Sequence, residues 1–191
     1  MLMIKSFHCL FCHGYEERGA ASAGVFAIDD CAPSHFAVHL ARFANRLASK
    51  VTIYTNGNKE VTKGIQEVLS KARPESKTAQ NISVEPRKIA KLVKGARKAE
   101  VEVFLEDGTK KLEGFIAHKP KGEPRGPWVE QLGLETTEQG DIKVNFPLNE
   151  TSVSSVFAGG DCAQMMKAVT TAIAMGGVCA AGAASSIGAE D

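Results

Sequence analysis

The apolar pattern in the first part of the chain changes its period twice. Residues 24–28 form an apolar run after an initial glycine, as expected for a strand buried on both faces of a parallel sheet. Pro33 then favours the start of a helix, on which one apolar face recurs at steps of four, three and four residues: Phe36, Leu40, Phe43 and Leu47. Residues 51–55 are rich in β-branched side chains and predict a second strand. The pattern therefore indicates a βαβ unit.

The middle of the chain shows a different pattern. A second amphipathic helix is expected to end near Pro74. In the segment 82–118, apolar residues alternate with charged ones over 101–105. The sequence Glu-Asp-Gly at 106–108 favours a hairpin turn before a further strand at 112–117. We therefore predict an antiparallel excursion from the parallel sheet.

The last part of the chain has its own composition. Residues 119–127 contain three prolines and two glycines, which predicts a linker. Residues 156–158 predict a short apolar strand, and 163–187 are mostly Ala, Gly, Met and Val, which favours a helix packed closely against backbone. Close helix packing is also the expected role of Gly176 and Gly177. Together the patterns predict an α/β fold with a Rossmann-like three-layer βαβ domain, an antiparallel excursion and a C-terminal module.

Composition and charge limit the classes of protein to which the chain can belong. The 191 residues are 43% hydrophobic and 24% charged, which is typical of one ordinary domain with a small appendage and argues against disorder. With 23 basic and 22 acidic residues, the net charge of +1 favours neither a nucleic-acid nor a membrane partner. No apolar run approaches the ~18 residues of a spanning helix. The stretch Met1–Ile4 is too short for a signal-peptide core, so we expect a cytoplasmic protein.

The sharpest local motif is a pair of cysteines three residues apart, Cys9 and Cys12. Such a pair can close a small disulfide ring, and a thiol acidified by a nearby positive charge can attack another disulfide. His8 and His13 flank the pair and could supply that charge or accept a proton. Redox chemistry is therefore the favoured interpretation, with a zinc site or two half-buried structural thiols as the alternatives.

The other cysteines and histidines are expected to have no chemical role. The remaining cysteines are isolated in sequence and should pack as small hydrophobic side chains: Cys31, Cys162 and Cys179. His35 and His39 lie one helical turn apart, but no acidic ligand is near them, so no metal site is predicted. His118, beside the proline-rich linker, is expected to be solvated.

The predicted βαβ unit lacks the usual signature of a dinucleotide site. That signature is a glycine-rich turn after the first strand, where backbone approaches the pyrophosphate at a helix N-terminus. Here the corresponding positions hold Ala27, Asp29 and Ala32, and Asp30 adds a second negative charge. After the second strand, residues 55–58 provide no arginine for the 2′-phosphate of NADP. We therefore expect a nucleotide-binding scaffold that does not bind NADPH.

Two sequence segments, together with the βαβ unit between them, resemble those of a known protein family. Residues 9–16 have the sequence Cys-Leu-Phe-Cys-His-Gly-Tyr-Glu, and residues 151–163 include Val-Phe-Ala-Gly-Gly-Asp-Cys-Ala. With the βαβ unit, these segments resemble the thioredoxin reductase-like flavoproteins over nearly the whole chain. Within that superfamily, the chain is similar to the fungal dithiol oxidases that close the disulfide of gliotoxin- and holomycin-type metabolites, whose nucleotide domain has lost its NADPH residues.

The resemblance implies roles for particular residues. Cys9 and Cys12 would exchange with the substrate dithiol and reduce FAD, with Cys9 in the exchange role and Cys12 nearer the flavin. Four residues of the last segment would contact FAD: Gly160 and Asp161 at the ribityl chain, and Ala168 and Val169 beside the flavin ring.

The chain also departs from the family pattern, because it lacks the N-terminal half of the FAD domain. The implied FAD site is therefore a half-site. We expect a CxxC segment at 1–19, a degenerate nucleotide-binding-like domain at 20–120 and an FAD-domain remnant with its helix at 121–191. The missing half would normally cover the apolar face of this remnant. We therefore expect a homodimer built through the helix at 163–187.

Three hypotheses about function follow. The first is a truncated thioredoxin reductase-like oxidoreductase that acts on a small dithiol or disulfide in fungal secondary metabolism through its CxxC pair. The alternative is a cofactor-independent isomerase or cyclase that reuses the emptied cofactor cleft. Its acid–base groups would be four side chains: His8, His13, Asp29 and Asp30. The third is a non-catalytic remnant that regulates a full-length relative.

Overall fold

A computed structural model describes residues 6–189, and the chain divides into two compact units, Met1–Pro120 and Lys121–Asp191. The stretch Met1–Ile4 lies outside the described residues. The three-segment division at 1–19, 20–120 and 121–191 stays a prediction.

The first unit contains most of the regular structure. Its helices and strands are, in chain order, β1 (Ser6–Phe7), α1 (Leu10–His13), β2 (Ala20–Phe26), α2 (Ser34–Ala44), β3 (Ala48–Tyr54), α3 (Lys59–Ser70), α4 (Lys77–Asn81), β4 (Ile82–Glu85), β5 (Ile89–Lys94), β6 (Val101–Leu105), β7 (Lys110–Glu113) and β8 (Ile116–Ala117). Short 3₁₀ turns follow α1 at Gly14–Glu17 and β2 at Asp29–Cys31.

A five-stranded parallel sheet in the order β1-β8-β2-β3-β4 forms the centre of this unit. The predicted α/β fold and the βαβ unit β2-α2-β3 are therefore confirmed. Strand β2 begins at Ala20, earlier than the apolar run that starts at Gly24, because its pairing with β3 already begins at Ala20 and Ala48. Hydrophobic runs mark only the buried part of a strand, whereas backbone pairing extends beyond it.

Helices α2 and α3 pack on one face of the sheet. The predicted apolar face of α2 is only partly buried, and the fully buried face consists of smaller residues: Ala37, Val38, Ala41 and Ala44. Small side chains let the helix approach the sheet closely, so the larger aromatic residues lie at the margin of the contact. Phe43 is one of these marginal residues.

A three-stranded antiparallel sheet, in the order β5-β6-β7, forms the third layer. Its buried side chains, Val101, Val103 and Leu105, form one cluster with Phe26, Tyr54 and Ile116 of the parallel sheet. The predicted antiparallel excursion is thus confirmed.

Two details of the prediction for this excursion were wrong. Ile82–Glu85 is not antiparallel, because it pairs with β3 as the parallel edge strand β4. The strand predicted at 112–117 is split at Gly114, whose amide donates to the carbonyl of Ser22. A Cβ at Gly114 would lie 2.9 Å from that oxygen, so the chain passes against β2 there and then continues into the parallel sheet as β8.

The second unit has less regular structure: α5 (Trp128–Leu132), a 3₁₀ turn at Gly160–Cys162 and α6 (Val169–Gly188). The strand predicted at 156–158 was wrong, since only Phe157 forms an isolated bridge, to Glu150. The long helix begins at Val169 rather than at 163.

The prediction of close packing at Gly176 and Gly177 was also wrong within the described chain, because a Cβ at either position would meet no atom within 4 Å. Close packing occurs instead at Gly182, where a Cβ would crowd Phe157. Only 6% of the most apolar window of α6 is buried. The expectation that no apolar run approaches the length of a spanning helix was wrong, because α6 is long and apolar enough to cross a membrane by length and composition alone, although core helices of soluble proteins meet the same criterion.

Candidate functional site

The cysteine pair lies on the short helix that directly follows β1. Strand β1 ends at Phe7, Cys9 is the N-cap of α1, and Cys12 lies within that helix. Their sulfur atoms form a disulfide, and their Cα atoms are 5.5 Å apart. Cys9 is half-buried and Cys12 is exposed, so the bond is not sealed in the core.

Helix α1 is anchored by small and apolar contacts. Leu10, between the two cysteines, is buried. Gly14 lies so close to it that a Cβ there would be 3.1 Å from Leu10 and 3.2 Å from Leu47. The backbone amide of Gly19 also donates to the carbonyl of Leu47, at 2.8 Å. The segment that carries the disulfide is therefore held against the end of α2.

The two histidines beside the cysteines are solvent-exposed. His8 follows β1, and His13 is the last residue of α1. In the part of the chain that the structure describes, neither imidazole makes a hydrogen bond or an ion pair. Both side chains can therefore exchange protons with water or a bound molecule. Their catalytic roles stay a prediction.

The turn after β2 contains two aspartates, and each of them lies close to a residue that follows β8. Asp29 has a left-handed φ of 49°, and its Oδ2 lies 3.6 Å from Nε2 of His118. Asp30 Oδ2 lies 3.8 Å from the Nζ of Lys119. The two carboxylates occupy the strand end where a dinucleotide domain would bind pyrophosphate.

The expectation that His118 is solvated was wrong. Its side chain is 12% exposed, and its Nδ1 lies 3.2 Å from the carbonyl oxygen of Phe26. Its backbone amide donates to the carbonyl of Phe7, so His118, which directly follows β8, lies beside the end of β1. Sequence reasoning missed this neighbour because the contact requires β1 and β8 to pair across more than a hundred residues.

Cys31, in the same turn, is fully buried and packs as a small hydrophobic residue, as predicted. Burial raises the pKa of its thiol to about 11, so it stays protonated at neutral pH. It cannot take part in the exchange chemistry proposed for the exposed pair.

In the second unit, the residues implied for FAD lie around a tight turn before α6. Gly160 is buried with a φ of 78°, and Asp161 is exposed. Ala168 caps α6, and Val169 begins it with 76% of its surface exposed. Asp161 has an exposed carboxylate that can accept from hydroxyl groups, and Gly160 allows close backbone approach. The roles of these four residues at FAD stay a prediction.

Sequence reasoning missed Lys167 in this turn. Its Nζ donates to the backbone carbonyl of Asp161 at 2.6 Å and to Asp141 Oδ1 at 2.7 Å. The lysine therefore fixes the shape of the loop between the 3₁₀ turn and α6. A lysine in an irregular segment carries no periodic signal that could have predicted this role.

Other possible sites find no support among the described residues. No group of three or more His, Cys, Asp or Glu side chains there is arranged to hold a metal ion. Two surface cavities, of about 210 and 280 Å³, lie in the first unit. Neither is lined by the histidines and aspartates named for the cofactor-independent enzyme, so these two cavities give that alternative no support.

Comparison with known proteins agrees with the fold. The profile of the pyridine nucleotide-disulphide oxidoreductase family matches residues 34–176. A thioredoxin reductase of Gibberella zeae is 43% identical over 94% of this chain and 52% of its own length. The thioredoxin reductase aclD of Aspergillus oryzae is 40% identical over 97% of this chain and 57% of its own. The chain thus spans about half the length of the curated relatives that it matches.

Solved structures give the same result for the fold. An oxidoreductase from Agrobacterium tumefaciens has a TM-score of 0.70 at 26% identity, over 95% of this chain and 56% of its own. A putative thioredoxin reductase of Bacillus anthracis has a TM-score of 0.72 at 22% identity, over 96% and 56%.

Proposed function

Since the chain belongs to the pyridine nucleotide-disulphide oxidoreductase family and is thioredoxin reductase-like, we propose that it exchanges electrons with a small dithiol of fungal secondary metabolism through Cys9 and Cys12. The observation that supports this most strongly is the solvent-accessible disulfide of α1, which an incoming thiolate can reach.

The exchange step balances within the protein and its substrate. A substrate thiolate attacks Cys9 Sγ, which forms a mixed disulfide and breaks the Cys9–Cys12 bond, leaving Cys12 as a thiolate. The second substrate thiol then attacks the substrate sulfur bound to Cys9, which closes the substrate disulfide and releases Cys9. Two electrons and two protons pass from the substrate dithiol to the cysteine pair.

The exposed histidines supply proton transfer in this scheme. His8 precedes the attacked sulfur, and His13 follows Cys12. An imidazole accepts the proton of an incoming thiol near neutral pH and returns it to the leaving thiolate. Both roles require the solvent-exposed position that the two side chains have.

FAD is the proposed cofactor, and the acidic turn after β2 disfavours NADPH. Bound FAD would accept the two electrons of the reduced cysteine pair. Gly160 and Asp161 would hold its ribityl chain, and Ala168 and Val169 would flank its ring. NADPH is disfavoured because Asp29 and Asp30 place negative charge where its pyrophosphate would bind.

The proposed assembly is a cytoplasmic homodimer. Helix α6 and the loop before it expose large apolar side chains: Met165, Met166, Val169, Ile173 and Ile187. Apolar surface of this kind indicates an interface. A second copy packed along α6 would cover it, and a monomeric mass in light scattering at micromolar concentration would contradict this assembly.

The test of the exchange function is a redox titration of the purified chain. We expect the Cys9–Cys12 disulfide to open in glutathione buffers and to oxidise a small dithiol stoichiometrically, while the Cys9→Ser/Cys12→Ser variant does neither. The Cys162→Ser/Cys179→Ser variant is the matched control and should behave as the wild type. Full activity in the variant lacking Cys9 and Cys12 would refute the proposal.

A further inference from the structure

Strand β5 leaves one edge of the antiparallel sheet open. The order of that sheet is β5-β6-β7, so β6 is the only strand within the described residues that pairs with β5. The amide of Gly95 donates to the carbonyl of Glu100 at 2.7 Å, and every second residue before it also faces β6. Leu92 and Lys94 lie between these positions, so their amides and carbonyls point away from the sheet.

The segment that forms this edge carries only positive charges. Residues 87–98 contain six basic side chains and no acidic one. Arg87 pairs with Glu85 and Asp107, at 2.7 and 2.6 Å. Lys88 pairs with Glu106 at 3.1 Å. In the part of the chain that the structure describes, the other four basic residues make no ion pair: Lys91, Lys94, Arg97 and Lys98.

Contacts with uncharged groups position two of these cations without neutralising them. The Nζ of Lys91 lies 4.6 Å from the centroid of the Phe104 ring, on the solvent side of the sheet. The Nζ of Lys94 donates to the carbonyls of Gly95 and Lys98, at 3.2 and 2.9 Å. Both cations therefore keep their charge next to the open edge.

These charges determine which kind of strand can pair with β5. Lysine on an edge strand repels another strand of the same charge, so β5 of a second copy would bring six positive charges against six. Opposite charges that face each other across a strand pair attract. The open edge therefore favours an acidic segment over a second copy of itself.

From the open backbone and this charge we propose that β5 binds an extended acidic segment of a partner protein, which joins the antiparallel sheet as an additional strand. The backbone of the partner pairs with the amides and carbonyls of Leu92 and Lys94, which is the usual mode of strand addition. Its acidic side chains lie beside Lys91, and its apolar side chains extend the layer to which Leu92 contributes. The interaction does not use the cysteine pair, so it is independent of the proposed redox function.

The test measures binding of a synthetic peptide of alternating glutamate and valine to the full chain. The same peptide with lysine in place of glutamate is the charge control, and fluorescence anisotropy gives the Kd of each. We expect the glutamate peptide to bind about tenfold more tightly than the lysine peptide. Its Kd should rise about tenfold from about 0.05 M to about 0.5 M salt, because salt screens exposed charges.

Amide hydrogen exchange shows whether the peptide adds as a strand. The amides of Leu92 and Lys94 should exchange about tenfold more slowly in the complex, because they gain backbone partners. The amides of Lys91 and Val93 already face β6, and their exchange should change less than about twofold.

Two matched variants test the charge. Lys91→Gln/Arg97→Gln removes two cations that have no ion pair, and it should weaken binding of the glutamate peptide about tenfold. Lys59→Gln/Lys63→Gln removes the same charge from the exposed side of α3 and should change the Kd less than about twofold.

Three results would overturn this proposal. One is equal affinity for the glutamate and lysine peptides. Another is binding that leaves the exchange of Leu92 and Lys94 unchanged, because charge alone would then hold the peptide. The third is an oligothymidylate that binds more tightly than the glutamate peptide and displaces it, since the surface would then bind a nucleic acid.

Discussion

The charge network around Glu85 allows a quantitative prediction. Glu85 ends β4, and its carboxylate is 5% exposed. It accepts two hydrogen bonds of 2.7 Å from the Arg87 guanidinium, and it lies 2.8 Å from the Nζ of Lys111 on β7. The network therefore ties β4, at the edge of the parallel sheet, to β7, one edge strand of the antiparallel sheet.

The hydrogen bonds from Arg87, with help from Lys111, lower the pKa of Glu85 from its ordinary value of 4.5 to about 2. A difference of that size corresponds to about 3 kcal/mol of folding free energy. The contribution is complete above pH 4.5, where the unfolded carboxyl is ionised, and it is lost as the pH falls towards 2.

The perturbation is Glu85→Gln, which keeps the shape and removes the charge. We expect the variant to be less stable than the wild type by about 2–3 kcal/mol at pH 7, because Arg87 and Lys111 are exposed enough to recover part of their hydration. The difference should shrink below pH 4.5 and fall to about a quarter of its full value at pH 2.5, because the folded carboxyl is half-protonated only near pH 2. Urea denaturation of the full chain at several pH values measures it.

A surface ion pair provides the control. Glu102→Gln removes the partner of Lys110, which is half-exposed, and should cost less than about 1 kcal/mol at any pH. If the Glu85→Gln difference stays constant from pH 7 to pH 2.5, the reasoning from charge is refuted, and the loss must come from packing.

Three more predictions concern buried groups of the first unit. Tyr54→Phe removes the hydroxyl that donates to Glu113 at 2.5 Å and should cost about 1–3 kcal/mol in urea denaturation, because Glu113 Oε2 already lacks a partner among the described residues. Phe115→Ala should cost about 3–5 kcal/mol by the same measurement, since the ring is fully buried, and a loss under 1 kcal/mol would contradict its place in the core. In the native protein at pH 8, Cys31 should resist iodoacetamide while the half-exposed Cys179 reacts, and equal rates by mass spectrometry would show that Cys31 is accessible.

The candidate site was predictable where its parts are close in sequence. Cys9 and Cys12 are three residues apart, so any compact fold keeps them near each other, and the motif alone indicated a disulfide. His118 was not predictable in the same way. Its partners, the carbonyl of Phe26 and the carboxylate of Asp29, come from a strand about ninety residues earlier.

The contact between Phe43 and Phe11, next to the disulfide, was also not predictable from the sequence pattern. The helical period placed Phe43 on the inner face of α2. In the structure, alanines occupy that face, and Phe43 lies at its margin against Phe11. Periodicity identifies an apolar stripe, but the size of the residues that fit against the sheet decides which part of the stripe is buried.

By itself, the amino-acid sequence determined the local features of this protein: the α/β class, the βαβ unit, the CxxC motif and the acidic turn that replaces a glycine-rich one. These follow from the period of apolar side chains and from residues that are close in the chain. The tertiary structure alone decided that β4 and β8 join the parallel sheet, that Gly114 divides a predicted strand, and that His118 is buried against β2. Strand pairing depends on contacts between segments that are distant in the chain, and a local sequence pattern does not contain that information.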